Sequence, residues 1–373
     1  MGQNHSISEG GSLSATQQRF WVLEQLHPHS AVHNIAFGLR LTRHIDRAAL
    51  DVALAEVIKR HEILRTQFRL VDGTPIQIVD SAPPAVAVAG VDLQHVPQPE
   101  REARLGVLGQ EEIGTPFDLA YGPLLRATLF HLSDQEYVLL LVAHRIVCDG
   151  WSLRLLLAEI HSLCLAGPST TQYERFAPDY GAFALRDMPL PQDLSYWTHQ
   201  LAGAPASIDL ATDRQRPAVQ TFGASSQKML IETSLGDELR SLARSKGTTL
   251  FSVLLAAYVV LLHRYSRQEE LVLGTRIGGR TLPEFEKAIG PLENMLALRI
   301  GVAAEMSFLD LLMRARDVVQ DAFAHEKVPF ETLVRKLRLE RDMGRHPLFQ
   351  VTLSMQDPYT LSLIHISEPT RQA

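Results

Sequence analysis

Cysteine is almost missing from this sequence, with two residues, Cys148 and Cys164, among 373. Two thiols cannot build a disulfide framework, and no CxxC spacing offers a metal site, so the chain suits a reducing, cytoplasmic setting. Positive charge is also short. Lys+Arg total 36 against 42 Asp+Glu, a net charge of −6, which excludes the broad basic field that nucleic-acid binding needs. Long hydrophobic runs are lacking too. Residues 250–262 (LFSVLLAAYVVLL) form an apolar stretch of thirteen, short of the roughly 20 needed to span a bilayer. Thr248 and Thr249 stand ready to cap it, so a buried core helix and no membrane span are expected. The first residues, 1–11 (MGQNHSISEGG), are polar without an apolar signal core, and export is not indicated.

What is present is ordinary globular composition, 46% hydrophobic and 21% charged, enough for one large domain or two lobes. Residues 33–42 alternate Ile35, Phe37, Leu39 and Leu41 on one face, the period of a half-buried strand. Asp46 is placed to cap a helix whose apolar positions Leu50, Leu54, Val57 and Ile58 recur at helical spacing. Residues 124–132 and 137–143 flank Ser133-Asp134-Gln135 as a hairpin, and the second strand (YVLLLVA) is apolar on both faces, as in the middle of a covered sheet. A helix is expected over 152–165, stopped by Gly167-Pro168. Residues 167–223 are richer in Pro, Gly, Thr and polar residues, with one helix near 192–201, and read as a connection between lobes. Beyond it, strands at 227–232, 271–276 and 295–302 alternate with helices at 237–246 and 250–265. The class is α/β, with mixed sheets flanked by helices.

The most informative segment is 143–153, AHRIVCDGWSL. A buried strand ends near His144, a short loop carries Asp149-Gly150, and a helix begins at Ser152, a place where a rigid scaffold often holds functional side chains. The segment resembles the HHxxxDG signature of condensation domains of nonribosomal peptide synthetases, in the chloramphenicol-acetyltransferase-like superfamily. Further segments resemble that family's motifs in order: 13–26 (LSATQQRFWVLEQL), 60–68 (RHEILRTQF), 176–183 (FAPDYGAF), 289–296 (IGPLENML), 325–334 (HEKVPFETLV) and 341–351 (RDMGRHPLFQV).

The resemblance implies a two-lobed pseudo-dimer with a tunnel between the lobes, here residues 12–166 and 224–359, joined by 167–223. Carrier domains would feed phosphopantetheine-tethered substrates inward, with no cofactor, metal or nucleotide bound by the domain itself. An acceptor amine would attack the donor thioester to give an amide, and an adenylation domain would follow in the native gene. His144 matches the first histidine of the signature, but Arg145 stands where the family keeps its active-site histidine. Histidine can take up or release a proton near neutrality; arginine stays protonated, offers only donors and cannot act as a base. Three readings stand side by side. Arg145 abolishes condensation and leaves a scaffold or recruitment domain, as in the glycopeptide-type X domains, which carry HR here but have two aspartates where this chain has Asp149-Gly150-Trp151. Alternatively, positioning sustains a slower reaction with Arg145 stabilising the oxyanion, or the arginine is a one-base sequence error. A standalone acyltransferase using a soluble acyl thioester is a further alternative.

Asp149 is expected to shape the site rather than react, paired with Arg65 as the family resemblance suggests, and Gly150 to permit a special backbone geometry. Trp151 reads as packing or tunnel wall, and Asn294 as tunnel wall or a structural hydrogen bond. The HEILR at His61-Glu62 lacks the second histidine of a zinc HExxH, and residues 274–280 (GTRIGGR) lack the GxGxxG order. The basic residues of 327–336 read as a solvated helix face. Finally, residues 361–373 (LSLIHISEPTRQA) resemble a translated sequencing adapter, and a second lobe cut short after about Tyr359 is expected.

Overall fold

The computed structural model describes residues 11–42, 45–81, 86–166, 180–181, 189–338, 342 and 344–355. These divide into two compact units. The first takes the described residues up to Gly181 together with Arg280–Leu292; the second takes those from Pro189 to Gly279 and from Glu293 to Met355. The stretch expected to connect two lobes therefore belongs to the second unit from Pro189 onward, and a short piece of the later sequence returns to the first. Within the resembling segment 176–183 only Tyr180 and Gly181 are described, and the adapter-like 361–373 lies outside the described residues.

The first unit runs β1 (Gly11–Ser12), α1 (Ala15–Leu26), β2 (Asn34–Leu41), α2 (Arg47–Arg60), β3 (Thr66–Val71), β4 (Thr74–Val79), β5 (Ala89–Asp92), α3 (Gln98–Gly114), β6 (Leu125–Ser133), β7 (Glu136–His144) and α4 (Gly150–Ala166). Ser14 and Gln17 close a capping box on α1, and Asp46 accepts the Ala48 N–H at 2.9 Å to start α2. The main sheet has the order β2–β7–β6–β5, antiparallel except for the parallel β5–β6 pair, and β1–β4–β3 form a small antiparallel sheet. Strand β7 sits inside the main sheet with Val138 to His144 buried throughout, as its two-faced apolar sequence requires. Leu50, Leu54, Val57 and Ile58 of α2 and Leu153, Leu156, Leu157 and Ile160 of α4 join the same core. Each such side chain contributes about 1.5–3 kcal/mol on burial, so the end of β7 is held rigidly.

The second unit contains α5 (Pro191–Gln200), α6 (Thr233–Ser245), α7 (Leu250–Ser266), β8 (Glu270–Ile277), β9 (Asn294–Gly301), α8 (Phe308–Ala324) and α9 (Phe330–Leu337). Thr249 caps α7 by accepting the Ser252 N–H, and Val253, Leu255, Ala256, Val259 and Leu262 bury one flank of it in a second core with Trp197 of α5. Among the described residues no single helix is long and apolar enough to cross a membrane. Strands β8 and β9 pair antiparallel, and Gly274 bonds on its other side to Val351 and Leu353 at 2.9 Å each. A Cβ at Gly274 would stand 2.3 Å from the Phe349 ring, so only glycine fits that approach. The strand expected over 227–232 does not form: the segment pairs with no strand among the described residues. Its apolar pattern suits a strand, but a strand exists only where a partner accepts its hydrogen bonds.

Candidate active site

The signature segment leaves the sheet where β7 ends. His144 pairs in register with Asn34 of β2, and the Arg145 N–H extends that pairing to the His33 carbonyl at 2.9 Å. A turn follows, closed by the Val147 N–H to His144 O bond of 3.1 Å, and the chain reaches Asp149 at the head of α4.

His144 is buried among the rings of Phe20, His33 and Phe117, all at edge-to-face angles. Its Nδ1 accepts the Ile146 N–H at 3.1 Å, so the proton of the neutral ring sits on Nε2, where no partner meets it among the described residues. Burial, followed by the charges of His33 and Arg145, pushes its pKa down to about 3. Neither nitrogen then offers a free lone pair, and His144 cannot stand in as a base. His33, in the short 3-10 turn Ala31–His33, is likewise held neutral, its pKa lowered to about 4 by burial and then by Arg145, Arg19 and His27. Arg145 itself is half-buried. It is a fixed cation beside two neutral imidazoles, able to donate to an oxygen but not to accept a proton.

Asp149 is fully engaged. Oδ1 accepts the Ser152 N–H at 2.7 Å and Arg280 Nη2 at 3.1 Å; Oδ2 accepts Arg280 Nη1 at 3.0 Å and the Leu292 N–H at 3.1 Å. The two side chains are 5% and 3% exposed. Arg280 Nη2 also reaches Ser152 Oγ at 2.9 Å and the Ala288 carbonyl at 3.0 Å, and Ser152 Oγ bonds Gly290 N and O at 3.0 Å each. Four donors occupy the roughly four lone-pair sites of a carboxylate, so Asp149 caps α4 and anchors the returning segment Arg280–Leu292. It has no acceptor site left for a substrate proton. Among the described residues no cluster of His, Cys, Asp or Glu is arranged to hold a metal ion.

A condensation-domain family model matches residues 8–372. This chain belongs to the condensation-domain family. The condensation domain is 40% identical over 353 residues to a linear gramicidin synthase from Brevibacillus parabrevis, covering 92% of this chain and 7% of that protein. It is 38% identical to phosphinothricin tripeptide synthetase PhsC of Streptomyces viridochromogenes, covering 96% of this chain and 34% of that protein. The chain thus spans a small part of the curated relatives it matches. Among solved structures, the X-domain of teicoplanin biosynthesis, solved in complex with OxyB, superposes with a TM-score of 0.80 at 28% identity, covering 94% of this chain and 79% of that one. The two-lobed, mixed-sheet class of the chloramphenicol-acetyltransferase-like fold follows from these matches.

Within this condensation domain the ion pair expected between Arg65 and Asp149 is corrected: Arg280 holds Asp149. Arg65 ends the 3-10 turn Glu62–Arg65, donates to the Asp80 carbonyl at the end of β4 and lies 3.7 Å from Glu62. A carboxylate this deeply buried needed a cation, and the sequence offered several arginines with no periodicity to rank them. Gly150 is also corrected. It is the exposed first residue of α4, with helical backbone that any residue adopts. Trp151 is 38% exposed, donates from Nε1 to the Glu286 carbonyl at 3.2 Å and has Arg154 4.7 Å over its ring, so it braces the same returning segment. Asn294, in the second unit, gives both amide hydrogens to the Glu326 and Val328 carbonyls and accepts from Met295 and Phe330 N–H groups. Every hydrogen-bonding site of its amide is spent on backbone, which makes it structural. His33, Ser152 and Arg280 were not singled out from the sequence; the buried aspartate was the one available signal, and it called for a cation without saying which.

Proposed function

We propose that this domain works in a peptide-assembly line. It would join an acyl or peptidyl group, held as a thioester on the phosphopantetheine of one carrier domain, to the amine of an aminoacyl group on another. The amine nitrogen bonds to the thioester carbon, the carbon–sulfur bond breaks, and the amine proton ends on the released thiol. The match to the condensation-domain family over residues 8–372 carries this reading. Carrier domains are the partners it requires, with an adenylation domain to load the acceptor. The thioester supplies the driving force, so the domain's task is to position two tethered reactants and manage charge and proton.

Arg145 makes the second task difficult. Asp149 and His144 have no free acceptor, and a guanidinium accepts none, so condensation through a side-chain base at this motif is impaired. Condensation with loaded carriers, comparing the natural chain with Arg145→His, tests this. Product formed only by Arg145→His supports impairment; equal turnover overturns it and favours positioning with Arg145 donating to the oxyanion. A second reading is recruitment of another enzyme, favoured by Arg145 together with the likeness to an X-domain that was solved in complex with OxyB. Under it, Arg145→His forms no product and partner capture is unchanged by the substitution.

A further inference from the structure

The turn that follows β7 gathers positive charge and side-chain donors. Its backbone N–H groups are already spent: Arg145 N–H on the His33 carbonyl at 2.9 Å, Ile146 N–H on His144 Nδ1 at 3.1 Å and Val147 N–H on the His144 carbonyl at 3.1 Å. What remains are side chains. His144 is 1% exposed, and its Nε2–H meets no partner among the described residues. The His33 ring, 6.0 Å away and nearly perpendicular, buries an Nε2 in the same condition. Phe20 packs edge-on against both imidazoles, with the Arg19 guanidinium 4.6 Å from its centroid. Arg19 and Arg145 are both half-buried.

The sign of the charge here is uniform. Among the described residues, Arg145, Arg19 and His27 act on His33, and His33 and Arg145 act on His144; every one of these influences is positive. Glu24 of α1 interacts with His29 and with Asp118, and neither carboxylate is among the groups acting on the two imidazoles. Positive potential therefore builds around rings whose remaining buried donor has no acceptor, a costly arrangement that an anion relieves.

We propose that this corner of the first unit is a carboxylate pocket, in which the Arg145 guanidinium takes a ligand carboxylate in its planar fork, Arg19 adds charge and the two imidazoles add N–H donors. A carboxylate fits better than a phosphate. Guanidinium and carboxylate match as two parallel hydrogen bonds, whereas phosphate sites draw on several backbone N–H groups, and those of this turn are occupied. The identity of the ligand rests on the condensation reading: the carboxylate belongs to the acyl or aminoacyl substrate, an aspartyl, glutamyl or other dicarboxylic group. The pocket itself stands without that reading.

Binding is measured first, on the chain as it stands, with glutarate as probe, glutaramide as its neutral isostere and inorganic phosphate as the other oxyanion. Glutarate is expected to shift the NMR signals of the Arg145 guanidinium and of both imidazoles. Arg145→His, assayed well above pH 6.5 where the new imidazole is neutral, should weaken glutarate at least ~10-fold, and Arg145→Lys should retain part of the affinity. No response to glutarate overturns the pocket, as does equal binding of glutaramide, tighter binding of phosphate, or unchanged binding by a folded Arg145→His. Condensation with loaded carriers then tests the substrate. The natural chain should use aspartyl or glutamyl groups at least ~10-fold better in kcat/KM than asparaginyl or glutaminyl ones, and Arg145→His should erase the preference. Product formed without preference overturns the assignment of the carboxylate to the substrate. Failure to form product from any substrate, with glutarate binding intact, overturns condensation and leaves the pocket in place.

Discussion

Arg280 grips Asp149 through two parallel hydrogen bonds of 3.0 and 3.1 Å, across 131 positions of sequence. The bidentate geometry matches a planar guanidinium to a carboxylate and leaves neither group replaceable by a flexible point charge. Since Asp149 also caps α4 through Ser152, this one pair ties the start of that helix to the segment Arg280–Leu292.

Removing either partner strands a buried charge, so Asp149→Ala and Arg280→Ala should each cost about 3–5 kcal/mol of unfolding free energy. A double-mutant cycle in urea should show strong coupling between 149 and 280, and additivity within about 0.5 kcal/mol between 149 and 65. Coupling of 65 with 149 instead would contradict the pairing. Arg280→Lys should recover only part of the loss.

Gly150 leads to the opposite expectation. It is helical and exposed, and glycine in a helix costs about 0.5–1 kcal/mol relative to alanine, somewhat less at its first position. Gly150→Ala should therefore be neutral or stabilising by a few tenths of a kcal/mol up to ~1. A loss above ~1 kcal/mol in chemical denaturation would show that the motif glycine serves a close approach after all.

How much was legible depended on whether the determinant was local. Asp46 and the spacing of Leu50, Leu54, Val57 and Ile58 specify α2 by themselves, and two-faced apolarity placed β7 inside its sheet. The signature segment was found because its residues are contiguous. The partner of Asp149 was not, because an ion pair over that separation leaves no period in the sequence; the family resemblance suggested Arg65, and the fold spends it on the end of β4. Residues 227–232 failed for a related reason. Their short apolar run, Met229 to Ile231, suits a strand, while strand formation is decided by a partner elsewhere.

Asn294 should matter to folding more than to any reaction. Its amide closes the turn between α8 and α9 with three backbone bonds of 2.8–3.0 Å, and accepts a fourth, of 2.8 Å, from the Met295 N–H of its own strand. Asn294→Ala leaves those groups unsatisfied in a half-buried place and should cost about 1–3 kcal/mol. Asn294→Asp keeps the acceptors, loses the donors and should fall between. If the Ala variant loses activity with its unfolding midpoint intact, the residue is functional instead.

The two neutral imidazoles give the fold an acid sensitivity with a defined sign. In the unfolded chain His33 and His144 take up protons below about pH 6.5, while in the native state they refuse them until about 4 and about 3. Between those limits the unfolded state binds more protons, so stability is full above pH 6.5 and falls as pH drops. Each histidine contributes a slope of up to about 1.4 kcal/mol per pH unit. His33→Gln keeps the packing beside Phe20 and removes one titrating group, so it should flatten the fall between pH 6.5 and 4 by about one proton. The measurement is the urea midpoint as a function of pH, alongside imidazole NMR shifts showing His144 neutral at pH 4. An unchanged slope in His33→Gln, or a histidine at 144 titrating near 6, would mean that Arg145 and burial do not hold these rings neutral.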